Sequence, residues 1–526
     1  MTDGAHTASA SNRPMSIRTT WPAVACLLIA AVSGWMSLRL VPGNVDVSWL
    51  LVVCDRLLDG ARLHVDIVEV NPPFSILLYM PFAVLGRLTG LPAELWLAIG
   101  LPALALAPVG LSARILVRAG LVDRRAAWLA PAVLAVLLLL FAEDFGQREQ
   151  FAVVALLPWL SLLAARDADS GFKAGTAFER VLAGLGAAVF VMIKPPMSVP
   201  ALALPALLIC LDRRSLRPLF TTETLVGAAI TFAYLGWIAA FHLAFFLDLM
   251  PVVREVYLPA RMGVVAMLFS GPVILLAILS VAVMAVARPG PVDRPALLAL
   301  IAALGYVPAF VLMGKGWTYQ ALPFLMLGLI ALLLQLRRLS GLSAMPVASK
   351  AAVALGAAVL VLLAQAGQPF AKTERRAELE QAAAAIGRVI GRPKVATVAT
   401  RPQPAHPLTR MVGGDYRSRQ SSLWIAENAF GLIRSARHDP QKAERLATLR
   451  EDFLNQAASD IDRENPDVLF DAGTDGSAGQ AAVQANPAIA RVLAGYRQIY
   501  QNNVVTVLVR SDLVSGGVPS AAAEPP

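Results

Sequence analysis

Short polar loops interrupt the apolar stretches of this 526-residue chain, and they carry the residue types of group-transfer chemistry. The longest, 44–73, holds Asp46, His64, Asp66 and Glu69 ahead of Asn71-Pro72-Pro73. A second reads Glu143-Asp144-Phe145-Gly146-Gln147-Arg148-Glu149-Gln150. Later come Lys194 before a proline pair, then Asp248, Arg254, Glu255, Tyr257 and Arg261, then Gly314-Lys315-Gly316-Trp317-Thr318-Tyr319. A loop carboxylate can take the proton of an acceptor hydroxyl. An isolated Arg can hold a phosphate as a bidentate fork, and a Lys can hold it as a point charge. Tyr and Trp at an interface can pack against a sugar face or a lipid chain. Together these suit transfer of a sugar from a lipid phosphate. The base deprotonates the acceptor, the anomeric carbon is attacked, and cations stabilise the leaving lipid phosphate.

Asp46 is the first choice as base and Asp66 the alternative. His64, Glu69, Glu143, Asp144, Arg148, Lys194, Arg254, Lys315 and Tyr319 are the candidate substrate ligands. Each has a blander reading. Asp46 can be a helix N-cap, Lys194 a snorkelling lysine, Lys315 and Tyr319 part of an interfacial belt, and the rest solvated loop charges. Ionisable groups at a membrane boundary are costly unless they face a cavity or pair with one another. The whole set therefore points to one shared polar cavity.

The elements that must position these residues are membrane spans. The chain is 57% hydrophobic and 15% charged, with a mean hydropathy of +0.62, whereas a soluble domain is about a quarter charged. This composition excludes a cytosolic enzyme, a disordered chain and a secreted disulfide scaffold. Cys26, Cys54 and Cys210 are scattered without metal spacing. No phosphate-binding G-x-x-x-x-G-K-[ST] loop, H-E-x-x-H pair or nucleophile elbow occurs, which argues against an ATP-driven pump and a protease. Neither a metal nor a cofactor is called for; the lipid-phosphate sugar is itself the donor substrate.

Apolar runs mark eleven spans: 20–40, 94–117, 126–141, 151–165, 180–193, 197–211, 222–246, 269–287, 295–313, 320–336 and 350–367. Threading the chain through them collects Arg114, Arg118, Arg124 and Arg125, then Arg166, Lys173 and Arg180, then Arg213, Arg214 and Arg217, Arg288 and Arg294, and Arg337, Arg338 and Lys350 on one side. By the positive-inside rule that side is cytoplasmic. The net charge of +9 is thus a topology signal rather than a nucleic-acid footprint. It places 1–19 inside as a cytoplasmic tail and the catalytic loops, including the first loop 41–93, outside. The apolar segment 72–88 breaks this count and reads as a re-entrant or interfacial hairpin, because irregular backbone is tolerated where protein or a water-filled cavity lines it. Val47, Leu50, Leu51, Cys54, Leu57 and Leu58 give 46–58 the spacing of an amphipathic helix on the membrane surface, ended by Gly60.

Asp46, the 46–60 helix, His64-x-Asp66 and Pro72-Pro73, then Gly146-Gln147-Arg148-Glu149, Ile193-Lys194-Pro195 and Tyr319 ahead of Pro323 together resemble the GT-C superfamily of integral-membrane glycosyltransferases. That superfamily includes the lipid A aminoarabinose transferases and the protein O-mannosyltransferases. The resemblance covers roughly 20–367. It implies a polytopic α-helical catalytic domain over 20–370, an acidic residue in the first outer loop as base, and a second acidic site among Glu143, Asp144 and Glu149. Two positions depart from the pattern: Asp46 is followed by Val47 rather than a second acid, and Asn71 stands where some members carry Lys.

Residues 371–514 turn polar and read as an extracytoplasmic soluble α/β or α+β domain, followed by a disordered tail over 515–526. Helices are expected at 372–392, 420–436 and 441–464, strands at 394–399, 468–471 and 503–509, and a flexible loop at 473–485. The segments 404–408 and 416–419 read as a loop and a solvated basic patch, or as acceptor contacts. The expected function is an inverting glycosyltransferase of a bacterial inner membrane. It would use a polyprenyl-phosphate sugar donor and an envelope glycan, lipid or protein acceptor. A transporter or flippase of lipid-linked glycans is the main alternative. It would need inverted repeats and mid-membrane polar groups, of which the sequence gives no clear sign. A non-catalytic envelope scaffold would leave the polar outer loops unexplained.

Overall fold

The computed structural model describes residues 21–39, 43–123, 126–168, 175–287, 290–338, 368–474 and 476–514. The expected span at 350–367, the N-terminal tail 1–19 and the tail 515–526 lie outside these. Six helices among the described residues are long and apolar enough to cross a membrane: Trp21–Arg39, Ala93–Arg118, Arg148–Asp167, Thr222–Phe241, Arg294–Met313 and Thr318–Leu336. The chain is a multi-pass membrane protein. The other expected spans among the described residues are helical but shorter or interrupted. They are Leu129–Leu138, Ala177–Ile193, Pro195–Arg213 with Pro200 and Pro205 inside it, and Gly271–Ala287.

In chain order, α1 is Trp21–Arg39, α2 Val45–Leu58, α3 Pro73–Leu77, α4 Met80–Thr89, α5 Ala93–Arg118, α6 Leu129–Leu138, α7 Arg148–Ala168, α8 Ala177–Ile193, α9 Pro195–Arg213 and α10 Thr222–Phe241. Then α11, Met250–Val252, sits between π-helical turns at Phe245–Leu249 and Val253–Tyr257, and is followed by α12 Val264–Leu268, α13 Gly271–Ala287, α14 Arg294–Met313 and α15 Leu322–Leu336. α7 packs against α5 and α8, and α14 against α9 and α15. Small residues let the α9 and α14 backbones meet. A Cβ at Gly305 would lie 2.7 Å from the Pro200 carbonyl oxygen, so no larger residue fits there.

Residues 72–88 form two short helices, α3 and α4, with Pro73 at the first position of the first. Proline is tolerated there because that N–H has no intrahelical partner. α2 has the expected extent, and Gly60 follows it at φ +92°. Its setting differs from the expected membrane-surface helix: Val47 to Cys54 are buried without a break. The helix carries apolar side chains all round this stretch, and one face packs on α3 and α4. The other meets the C-terminal region, where the Trp49 ring lies 5.2 Å from His406 and 5.6 Å from Tyr416.

That region contains α16 Gln368–Gly387, α17 Leu408–Met411, α18 Trp424–Ser435, α19 Pro440–Glu464, α20 Ala478–Gln484 and α21 Pro487–Leu493. Its five-stranded sheet runs in the order β2-β1-β3-β5-β4. The strands are β1 Lys394–Thr397, β2 Asp415–Tyr416, β3 Val468–Ala472, β4 Tyr496–Gln501 and β5 Val505–Arg510. β1 pairs parallel with β2 and β3, while β3–β5 and β5–β4 are antiparallel. Two expectations are corrected. The supposed flexible loop 473–485 contains α20, whose start Ser477 caps through its hydroxyl. The segments 404–408 and 416–419 are tied to the first loop rather than wholly solvated, although Arg417 and Arg419 stay partly exposed. His406 and Tyr416 are buried against Trp49, Val68 N–H donates to Arg419 O at 2.8 Å, and Arg419 Nη2 donates to Val65 O at 2.6 Å.

Candidate active site

α2 brings Asp46 to the site in its first turn. Asn44 rather than Asp46 caps the helix: its Oδ1 accepts from the backbone N–H groups of Asp46 at 3.0 Å and Val47 at 3.3 Å. The Asp46 side chain is left to face the second loop. There Gln147 Nε2 donates to Asn44 Oδ1 at 2.9 Å and to Asp46 Oδ2 at 3.3 Å.

The second loop is held from behind. Gly146 has φ +83°, and a Cβ on it would come within 2.9 Å of Leu97. Left-handed backbone at close quarters is what glycine alone supplies at low cost. The Tyr79 hydroxyl donates to Gly146 O at 2.6 Å, and Gly146 N–H donates to Gln150 Oε1 at 2.8 Å. Arg148 and Glu149 then open α7. Arg148 is 2% exposed, yet among the described residues its Nε and Nη1 have no hydrogen-bond partner. Glu149 is fully buried; it pairs with Lys194 through Oε1, and among the described residues Oε2 has no partner. Lys194, in the turn between α8 and α9, also lies over the Tyr319 ring at 5.1 Å. Asp46, Glu149, Tyr79 and Tyr319 all lie within electrostatic range of Arg148. Buried unsatisfied donors and acceptors are rare in folded proteins and call for an explanation. Here they cluster on Arg148 and Glu149, with Lys194 and Asp46 brought up from other loops.

Tyr257, at the end of the second π-helical turn, joins this group. Burial, with Asp46 next, pushes its phenol up from the usual value, and Arg148, Glu69 and Glu149 are also close. Its ring packs edge-on against Trp424 of α18 at 5.7 Å. π-helical turns often occur at functional sites.

The remaining expected residues are placed as follows. Glu69 is buried and takes hydrogen bonds from Trp49 Nε1 and from Asn71 N and Nδ2, the latter two at 2.8 and 2.5 Å. It ties the loop to α2. Asp66 does not join Asp46. Its carboxylate receives Arg62 N at 2.9 Å and Arg62 Nε at 3.0 Å near the surface, which holds it below its usual range. His64, at φ +65°, packs beside Phe245 at 4.8 Å and His242 at 5.7 Å. Burial, with His242 adding, pushes its pKa down to about 4, so it is neutral. Lys315 donates to the backbone carbonyls of Tyr257 and, at 2.6 Å, Ala260, and lies 4.0 Å over the Tyr257 ring. It therefore braces Tyr257. Glu143 and Asp144 form a 3-10 turn ahead of α7, with Asp144 buried. Arg254 is exposed on the 253–257 turn. Sequence reasoning placed Gln147 in the Gly146–Glu149 run and Tyr257 among the loop residues but assigned no role to them or to Asn44. Spacing does not show that Gln147 meets Asp46, and Tyr257 reaches the site through the π-helical turns. No group of three or more His, Cys, Asp or Glu among the described residues is placed to hold a metal ion.

With this geometry in hand, the chain can be set beside known proteins. No family model matches the sequence, and no curated protein matches it either. The crystal structure of ArnT from Cupriavidus metallidurans bound to undecaprenyl phosphate is similar at a TM-score of 0.57 and 14% identity, over 95% of this chain and 100% of that one. The chain has the ArnT fold. The apo state of ArnT from the same organism agrees at a TM-score of 0.53 with the same identity and coverage. A weaker similarity, at a TM-score of 0.44 and 13% identity over 96% of this chain and 75% of that one, is to the archaeal oligosaccharyltransferase AglB from Archaeoglobus fulgidus in complex with an inhibitory peptide and a dolichol-phosphate. The two ArnT structures share this fold with the chain over nearly its whole length.

Proposed function

We propose that the protein is a glycosyltransferase that moves a sugar from a polyprenyl-phosphate donor to an envelope acceptor (glycan, lipid or protein) on the extracytoplasmic face. The reading rests above all on Arg148: a deeply buried guanidinium with unpartnered donors, within range of a carboxylate on a different loop. Such a group suits an anion that arrives from outside the protein. The ArnT structure of the same fold holds undecaprenyl phosphate, which supports a lipid phosphate as that anion. Arg148 and Lys194 would hold the phosphate, and the N-terminus of α7 would add its dipole. Asp46 would take the acceptor proton as the acceptor oxygen attacks the anomeric carbon, inverting it. Charge develops on the departing phosphate, and preorganised cations in a dry site stabilise it more than water would. Orientation with 371–514 outside and residence in a bacterial inner membrane belong to the same reading.

The test is Asp46→Asn, assayed for transfer from a polyprenyl-phosphate sugar in proteoliposomes. Loss of a general base costs roughly 10²–10⁴ in rate, so turnover should fall by that much at unchanged expression and thermal stability. Turnover at the wild-type rate overturns Asp46 as the base. Movement of lipid across liposomes by a wild-type protein that transfers no sugar overturns the enzyme reading in favour of transport.

A further inference from the structure

We propose that Gln147 is a positioning residue for Asp46, locking its carboxylate and the start of α2 to the second loop. The inference rests on Asp46 acting as the base and adds a part that neither the motif spacing nor the fold assigns. Gln147 is 1% exposed. Its single amide nitrogen reaches both the helix cap, Asn44 Oδ1 at 2.9 Å, and the carboxylate, Asp46 Oδ2 at 3.3 Å. Asn44 Oδ1 in turn receives the Asp46 backbone N–H. Backbone and side chain of Asp46 are therefore both referred to one amide on a different loop. Among the described residues, Asp46 Oδ1 has no hydrogen-bond partner, so the oxygen left over is the one open to an acceptor hydroxyl.

Gln147 is itself held rigidly. The preceding Gly146 takes a hydrogen bond from Tyr79, gives one to Gln150, and is wedged against Leu97. Gln150 Nε2 is anchored on Leu137 O at 2.5 Å. A carboxylate held by one hydrogen bond on one oxygen rotates less about its terminal torsion, which is otherwise broad. Near-attack geometry depends on such restraint, and a misplacement of about 1 Å can cost 10²-fold in rate.

The test uses two near-isosteric changes in the full-length protein, reconstituted in proteoliposomes with a polyprenyl-phosphate sugar. Gln147→Met removes the amide. It should lower kcat roughly tenfold to a hundredfold while the donor KM stays within about twofold. In an Asp46→Asn background the same change should cost nothing further, because residues acting as a unit are non-additive. Gln147→Glu puts a second carboxylate beside Asp46, and like charges at one site resist ionising together. The acid limb of kcat/KM should therefore move to higher pH. A readout independent of any reaction is the pH at which a hydrophobic carbodiimide labels Asp46, followed by mass spectrometry. It too should move up in Gln147→Glu. Wild-type kcat in Gln147→Met, a loss carried equally by donor KM, or an unmoved labelling pH in Gln147→Glu each overturns the positioning role. A moved labelling pH in a protein that transfers no sugar leaves the Gln147–Asp46 coupling standing and overturns the glycosyltransferase reading instead.

Discussion

At one end of the helical bundle the arginines meet carboxylates fork to fork. Arg118 gives Nη1 and Nη2 to Glu179 at 3.1 and 2.9 Å, and Arg166 gives Nε and Nη2 to Glu223 at 2.8 and 3.0 Å. Arg294 joins Asp167 to Asp212, and Arg337 reaches Asp293. At the other end Arg148 is more deeply buried than any of these, yet among the described residues two of its donor nitrogens have no partner. The sequence places the first group in loops read as a topology signal. In the folded chain those cations also fasten α5 to α8, α7 to α10 and α9 to α14. Charge satisfied within the protein binds helices together. Under the proposed function, the charge left unsatisfied at Arg148 is the one that would meet a lipid phosphate.

The sharpest way to break this contrast is to remove one arginine from each end. Arg166→Met strands the buried Glu223 carboxylate, and breaking a buried pair costs about 3–5 kcal/mol. A large fall in detergent melting temperature should follow, with residual folded protein turning over normally. Arg148→Met should do the reverse. Losing a donor to a developing oxyanion costs about 2.7–4 kcal/mol, roughly 10²–10³ in kcat, while the melting temperature holds or rises, since replacing an ill-satisfied buried charge with an apolar side chain is often neutral or stabilising. A melting temperature that collapses for Arg148→Met would make it a structural cation like the rest.

A smaller effect is expected where the Arg148 end of the bundle meets the C-terminal region. Arg410 Nη1 pairs with Asp55 Oδ2 at 2.7 Å, and the same guanidinium grips Glu94. Arg410→Met should cost about 1–3 kcal/mol and speed proteolysis around residue 390. The smallest is a pH effect on the same contact. Burial pushes His406 down to about 3, against about 6.5 in an unfolded chain. Below pH 6.5 the unfolded chain binds a proton that the folded one refuses. Stability should thus be level above that pH and fall on acidification, by up to about 1.4 kcal/mol per pH unit for this group. Melting temperatures from pH 7 to 5 should show a component of this slope that His406→Phe removes.

Much of the fold is legible in the sequence because it is local. Apolar runs and capping residues mark the helices, and Lys394–Ala399 and Val468–Asp471 announce β1 and β3 within two residues. β4 is not legible: Tyr496–Gln501 is a strand whose burial is only partial, so little alternation marks it. The pairing of Trp49 with His406 and Tyr416 joins residues more than 350 positions apart, and no periodicity carries that. For the same reason the amphipathic pattern of α2 suggests a helix with one face in lipid, when both faces are covered by protein. At the site, Asp46, Arg148 and Lys194 stand out as lone charges between apolar runs. The fate of Asp66 and Lys315 turns on Arg62 and on two backbone carbonyls, which only the fold brings into reach.

The contact of Trp49 with His406 and Tyr416, together with the Arg410 clasp on Asp55 and Glu94, constrains how this protein could be recombined. The residues after 390 are not cargo that can be exchanged for another protein's. Grafting a different C-terminal region onto 20–370 would uncover the Trp49 indole and the Asp55 carboxylate on the helix that carries Asp46, and Glu94 at the start of α5. A working hybrid would have to import all six partners as a block.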